Sequence, residues 1–174
     1  MALLMANTSN VKEMKNGRPQ SVQAPKALPN CAIVTLGDTM EATKAELDHV
    51  HAVTAGTAET AVGKFVIVAP EINVQQYRMI DNDIAKFALE ANEVYTAYEL
   101  QLHDRLEFSA DYFAAVPAVG DTVNIAADGK LTAAAEGGCL RVVSIREQRL
   151  PQMVLQDGSM RPAAVKMIKV EVVK

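Results

Sequence analysis

Tryptophan is absent from this chain of 174 residues, and only four tyrosines and four phenylalanines are present. The apolar half of the sequence is therefore made of Ala, Val, Leu, Ile and Met, with small amounts of Cys. Side chains of this size build a thin core, so we expect thin sheets or a small barrel instead of a deep enzyme fold. The scarcity of aromatics also counts against a sugar-binding surface, which normally displays rings for stacking.

Motifs that would hold a metal or activate a nucleophile are missing as well. The two cysteines, Cys31 and Cys139, lie far apart and form no CxxC pair, so we predict buried, reduced thiols and leave open whether they pair. No phosphate-binding glycine loop, dinucleotide fingerprint or nucleophile elbow occurs. We therefore predict that the chain is not an enzyme and has no catalytic, cofactor-binding or metal-binding residue.

Isolated histidines and acid pairs give only weak signals of chemistry. His49 and His51 would share one face of a strand and could ligate a metal, but no third ligand is evident nearby, so we expect both to be solvated. His103 and Asp104 read as a polar turn. Two acid pairs in polar stretches are expected to be solvated in the same way: Asp81 with Asp83, and Glu90 with Glu93.

Long apolar runs are also lacking. None reaches the length of a membrane span. The opening residues 1–6 are apolar but have no charged segment before them, and polar residues follow at once, so we expect no signal peptide. These features predict a protein that is made in the cytoplasm and used away from membranes.

The first thirty residues differ from the rest in charge and in prolines. Residues 1–30 hold four basic side chains against one acid, whereas the whole chain has a net charge of −4. Three prolines and a glycine interrupt every regular period there. We predict an extended N-terminal arm at 1–30, which could bind acidic partners or copies of the chain, and a single β-rich domain at 31–174. The positive charge of the arm is too dispersed for us to expect that it binds nucleic acid. The candidate partner-binding residues are Lys12, Met14, Lys15, Arg18 and Lys26.

Short β-rich runs between turn residues dominate the remainder of the chain. A hairpin is predicted at Asp128-Gly129, because this pair supports the positive φ of a tight turn. Both faces of 165–173 are mostly apolar, which predicts a covered strand, not an edge. Residues 51–64 have loop composition, a short helix is an option at 38–50, and 81–93 fits helix or strand. Further strands are predicted at 31–36, 65–69, 77–80, 94–100, 123–125, 130–132 and 139–145. The fold class is mainly β: a small β-sandwich or barrel with an extended N-terminal arm.

The order of several of these segments is similar to that of a known family. A strand at 66–70 precedes a Tyr-x-x-Ile-Asp segment at 77–81, a strand at 94–100 follows, and the hallmark tail comes after it. That tail consists of VGDTV at 119–123, DGKL at 128–131, a small-residue loop at 133–138 and a Val-rich strand at 140–145. In these features the chain resembles the capsid decoration proteins of tailed bacteriophages, also called cement or auxiliary head proteins.

This resemblance implies a virion structural protein on the outer surface of the capsid, bound in many copies to the major capsid protein. It implies homo-oligomers, with trimers at threefold positions as one arrangement, and it carries over no catalytic residue. Two alternatives stay open: a component of the phage tail or tail tube, and a carbohydrate-binding β-sandwich module. We expect neither nucleic acid nor a membrane as a partner.

Overall fold

The computed structural model describes residues 6–11, 19–40, 49–68, 88–134, 137–149 and 164–174. It is mainly β and combines a closed five-stranded barrel with a six-stranded sheet, which confirms the predicted fold class. A single turn of 3-10 helix lies at Ala110–Tyr112. The strands, in chain order, are β1 Ala6–Asn10, β2 Gln20–Gln23, β3 Leu28–Pro29, β4 Ile33–Thr39, β5 Val50–Thr54, β6 Phe65–Val68, β7 Ala88–Leu89, β8 Val94–Glu99, β9 Arg105–Ser109, β10 Thr122–Ile125, β11 Leu131–Ala133, β12 Leu140–Arg149 and β13 Ala164–Val172.

The six-stranded sheet has the order β1-β9-β13-β12-β10-β11, and all its pairs are antiparallel. Strand β13 lies in the middle, between β9 and β12. This placement confirms the sequence-based prediction that the final apolar strand is covered and not an edge. The long β12–β13 pair contains a bulge between Val142 and Ser144, where an extra residue locally increases the bend of the strand.

The barrel closes in the order β2-β5-β4-β6-β8, with β8 returning to β2. Its one parallel pair joins β2 to β5, and its other pairs are antiparallel. Closure removes the open strand edges that would otherwise invite pairing with other chains. A separate two-residue pairing between β3 and β7 lies beside it.

The buried apolar residues form two clusters, and successive side chains along β4 and β6 alternate between them. On β4, Ile33 belongs to the cluster that packs against the six-stranded sheet, while the next residue, Val34, belongs to the cluster of the barrel. On β6, Val66 and Ile67 divide in the same way. Because successive side chains of a strand point to opposite faces, one strand supplies both cores and fixes the barrel against the sheet.

Several turns match the sequence-based predictions. Strands β10 and β11 form the expected hairpin, and Gly129 has a φ of +78°. His103 lies in the expected turn before β9 with a φ of +69°. The loop predicted at 51–64 is wrong over its first residues, because 51–54 belong to β5. Its Ala- and Thr-rich composition conceals that Val53 is buried in the barrel.

The described parts of residues 1–30 contribute the strands β1, β2 and β3, which differs from the extended arm predicted at 1–30. Strand β1 pairs with β9, and β2 closes the barrel between β5 and β8. The burial of Val11 and Val22 is the physical reason, since both are completely enclosed by other elements. Residues 77–80, and most of the optional helix at 38–50, lie outside the described residues.

Candidate protein-binding surface

The face of the six-stranded sheet that points away from the barrel carries charged side chains in neighbouring strands. Along β13, Ile168 and Val170 belong to the core, so the alternate positions Lys169 and Glu171 point to the other face. Their partners on β9 and β12 share that face, because directly paired residues point the same way. We define the charged face by six residues: Arg105, Glu107, Arg141, Arg146, Lys169 and Glu171.

Glu171 is the centre of one half of the charged face. The Nδ1–H of His103 donates to Oε1 of Glu171 at 2.9 Å, and Arg105 donates to Oε2 at 3.3 Å. Arg141 completes the group with an ion pair of 3.9 Å. The hydrogen bond from His103, aided by the two guanidinium groups, holds the pKa of Glu171 below its ordinary value of 4.5. The side chain is therefore an anion surrounded by three partners.

The other half of the charged face contains a two-point ion pair. Arg146 donates through Nε and Nη2 to the two carboxylate oxygens of Glu107, at 2.6 and 2.7 Å. This parallel two-point arrangement is stronger and geometrically more specific than a single hydrogen bond between the same groups. The bond from Arg146, with a further contribution from the charge of Lys169, lowers the pKa of Glu107.

Acids and bases lie at different depths on this surface. The side chains of Glu107 and Glu171 are only 5% and 9% exposed, whereas those of Arg105, Arg141 and Arg146 are 50–53% exposed. The carboxylates therefore lie below the arginines, and about half of each arginine side chain stays exposed to solvent. An arginine held in this way has already lost much of its side-chain freedom, so binding an anion costs less entropy.

A concave feature lies where the barrel meets the β10–β11 hairpin. A groove of about 520 Å³ is bounded by the β2–β3 turn, the end of β5 and the hairpin tip. Its walls are mostly small or apolar, including Leu28 and Val53, and its two charged groups are Lys26 and Asp128. Lys26 is thus the one candidate partner-binding residue that falls within the described residues, and it is exposed. Lys12, Met14, Lys15 and Arg18 lie outside them.

The other residues considered for chemistry lie apart from one another. The Nδ1–H of His51 donates to the carbonyl of Gly37 at 3.0 Å, and His49 lies in the exposed turn before β5. Among the residues that the structure describes, no three His, Cys, Asp or Glu side chains cluster closely enough to hold a metal ion. Glu90 and Glu93 are exposed beside Tyr95, and Asp81 and Asp83 lie outside the described residues.

Both cysteines are buried, and they form no disulfide with each other. Burial raises the pKa of the Cys139 thiol, so the thiol form is favoured. The Cys139 sulfur lies 3.7 Å from the carbonyl oxygen of Val123, within the cluster between barrel and sheet. This position fits a packing role.

Sequence reasoning did not identify the charged face. The signal was the alternation of charge with apolar residues on β9 and β13, but the partners of Glu171 are 30 to 68 residues away in sequence. Only the strand register brings Arg105, Glu171 and Arg141 side by side.

Comparison with protein-family models, with curated proteins and with solved structures finds no match for this chain. Within the described part of the chain, no helix is long and apolar enough to cross a membrane.

Proposed function

We propose that this chain is a virion structural protein that binds the outer surface of a capsid and stabilises it by cross-bridging major capsid subunits. The observation that carries the proposal is the arrangement of the segments that resemble decoration proteins. Residues 119–123 lead into β10, residues 128–131 form the hairpin turn and the start of β11, and residues 140–145 form the first part of β12. All three segments therefore belong to one sheet, whose β12 contributes to the charged face. The sheet therefore joins the family-like segments to a surface suited to binding.

The proposed mechanism depends on contact area and on the number of contacts. Each copy binds two or more shell subunits, so rupture of the shell has to break several interfaces together. Individual contacts can then be weak, since linked contacts raise the overall affinity without a new type of bond. Homo-oligomers of the chain, such as trimers, would multiply the effect. The protein would be made in the host cytoplasm and reside on the capsid surface.

The basic residues among the first thirty are proposed to contact the major capsid protein. Deletion of 1–30 is not a clean test, because it removes β1 from the sheet and β2 from the barrel. The sharper variant is Lys12→Ala/Lys15→Ala/Arg18→Ala, with Met14 left in place. Lys26→Ala, in the β2–β3 turn, tests the groove separately.

The experiment is co-sedimentation of the purified protein with capsids of its source virus. Wild-type protein is expected to sediment with the shells to saturation, and the triple variant to bind less tightly at equal folded content by circular dichroism. The control is Lys166→Ala, which removes one exposed cation from β13 on the face opposite the charged face. Absence of wild-type binding to intact shells would refute the proposal.

Electron microscopy of the protein alone separates this function from a tail-tube role. A tube protein forms rings or tubes without any other component, whereas a decoration protein is expected to stay small until shells are added. Spontaneous rings or tubes would favour the tail component.

A further inference from the structure

The charged face has a sign opposite to that of the chain as a whole. The chain has a net charge of −4 and a pI of 5.4. On the charged face, four cations stand against two carboxylates, and the two carboxylates are the least exposed of the set. Solvent therefore meets mainly guanidinium groups at this site. An approaching partner would be attracted here if it is acidic, and repelled by the acidic remainder of the surface.

Exposed apolar side chains lie in two turns that adjoin strands of the charged face. Leu102 is 44% exposed in the turn next to His103. Val119 is 61% exposed in a loop held beside Arg141, since the adjoining Gly120 and Asp121 bond the backbone of Val142 at 2.9 and 2.8 Å. Arginine together with exposed apolar side chains is the composition typical of protein-protein interfaces.

We propose that the charged face is the docking surface for an acidic protein surface, with Arg105 and Arg141 as its principal contacts. The inference deepens the proposed function and rests on it for the identity of the partner, a carboxylate-rich region of the shell protein. Each arginine keeps donors free of the Glu171 contact, because only one nitrogen of each is engaged there. Those donors match a partner carboxylate in the planar, two-point geometry of the Arg146–Glu107 pair.

The chemistry favours a protein over a nucleic acid. Nucleic-acid sites are typically strongly basic domains that neutralise many phosphates, whereas this chain is acidic overall. Glu107 and Glu171 also lie directly beneath the cations and would oppose a dense row of phosphates. Carboxylates that are spaced along a protein surface can instead pair with individual arginines.

Fluorescence anisotropy with a labelled glutamate-rich peptide tests the surface without any capsid. Wild-type protein is expected to bind this peptide at low salt, and binding should weaken by about tenfold or more in Arg105→Ala/Arg141→Ala. Arg141→Gln, which keeps most of the side chain, is expected to weaken binding as well and guards against a folding defect in the double variant. Lys166→Ala is the control, because Lys166 lies on β13, between the two strands that carry the arginines, but on the opposite face of the sheet.

Three outcomes would overturn the inference: no binding of the peptide to wild-type protein, equal binding by wild type and both arginine variants, or binding only to a single-stranded oligothymidylate of matched charge. Peptide binding combined with failure to sediment with capsids would refute the proposed function while leaving the docking surface intact. The two proposals therefore fail separately.

Discussion

Arg146 on β12 reaches across the intervening strand β13 to bond Glu107 on β9 through two nitrogens. The Glu107 side chain is 5% exposed. Its negative charge is therefore stabilised almost entirely by protein groups and not by water. The pair links β9 and β12 across β13 through side chains, whereas backbone hydrogen bonds join only neighbouring strands. Its loss should therefore affect both the stability of the sheet and the order of the charged face.

The first prediction concerns this pair. Arg146→Ala should lower the urea midpoint of unfolding, because it removes both hydrogen bonds from Arg146 to a carboxylate that is nearly buried. The loss should exceed that of Arg141→Ala, since Arg141 is 3.9 Å from a carboxylate that keeps two other partners. Glu107→Gln in the Arg146→Ala background should recover part of the loss, because the buried charge is then gone. No recovery would show that the charge is not the cause.

The second prediction concerns acid. Both Glu107 and Glu171 have pKa values below the ordinary 4.5, because the folded protein stabilises their charged forms. Their contribution to stability is complete above that value and is lost as the pH falls through the folded pKa values. Urea unfolding between pH 6 and pH 3 should therefore show decreasing stability on the acid side. Glu171→Gln should flatten this dependence, and an unchanged slope would contradict the assignment.

The third prediction compares two glycines. A Cβ on Gly138 would lie 2.8 Å from the backbone N and O of Val123, whereas a Cβ on Gly56 would meet nothing within 4 Å. Gly138→Ala should destabilise the protein by about 1–3 kcal/mol, since the β10 backbone must move. Gly56→Ala should be nearly neutral. Chemical denaturation of both variants is the measurement, and equal effects would contradict the close approach of 138 to β10.

The fourth prediction concerns the turn between β7 and β8. Asn92 has a φ of +63°, a conformation that Asn and Gly adopt more readily than other residues. Asn92→Ala should cost about 1–2 kcal/mol of unfolding free energy, whereas Asn92→Gly should keep near wild-type stability. Thermal unfolding of the two variants decides the point. Equal losses would indicate that the Asn92 side chain matters more than the backbone conformation.

Local signals in the sequence predicted the parts of the fold that depend on neighbouring residues. The β10–β11 hairpin follows from Asp128-Gly129, and the central position of β13 follows from two apolar faces. Strand β2 was not predicted, because its QSVQ sequence offers one apolar residue and its stability comes from pairing with β5 and β8. The prolines that indicated an arm lie beside the short strands or at a strand end, at positions where a missing N–H is tolerated.

The charged face could not be predicted for a similar reason. The contacts of Glu171 with Arg105 and Arg141 depend on the registers of two strand pairs. A shift of one residue in either pair would turn the partners to the opposite face. The sequence contains the alternation of charges but not the register that brings them together.

Cryo-electron microscopy of source-virus capsids incubated with the purified protein tests the central claim most directly. The account predicts added density at repeated symmetry positions on the outside of the shell, with each copy touching at least two shell subunits and the charged face against carboxylates. Shells without added density at saturating protein, or density confined to the tail, would contradict it.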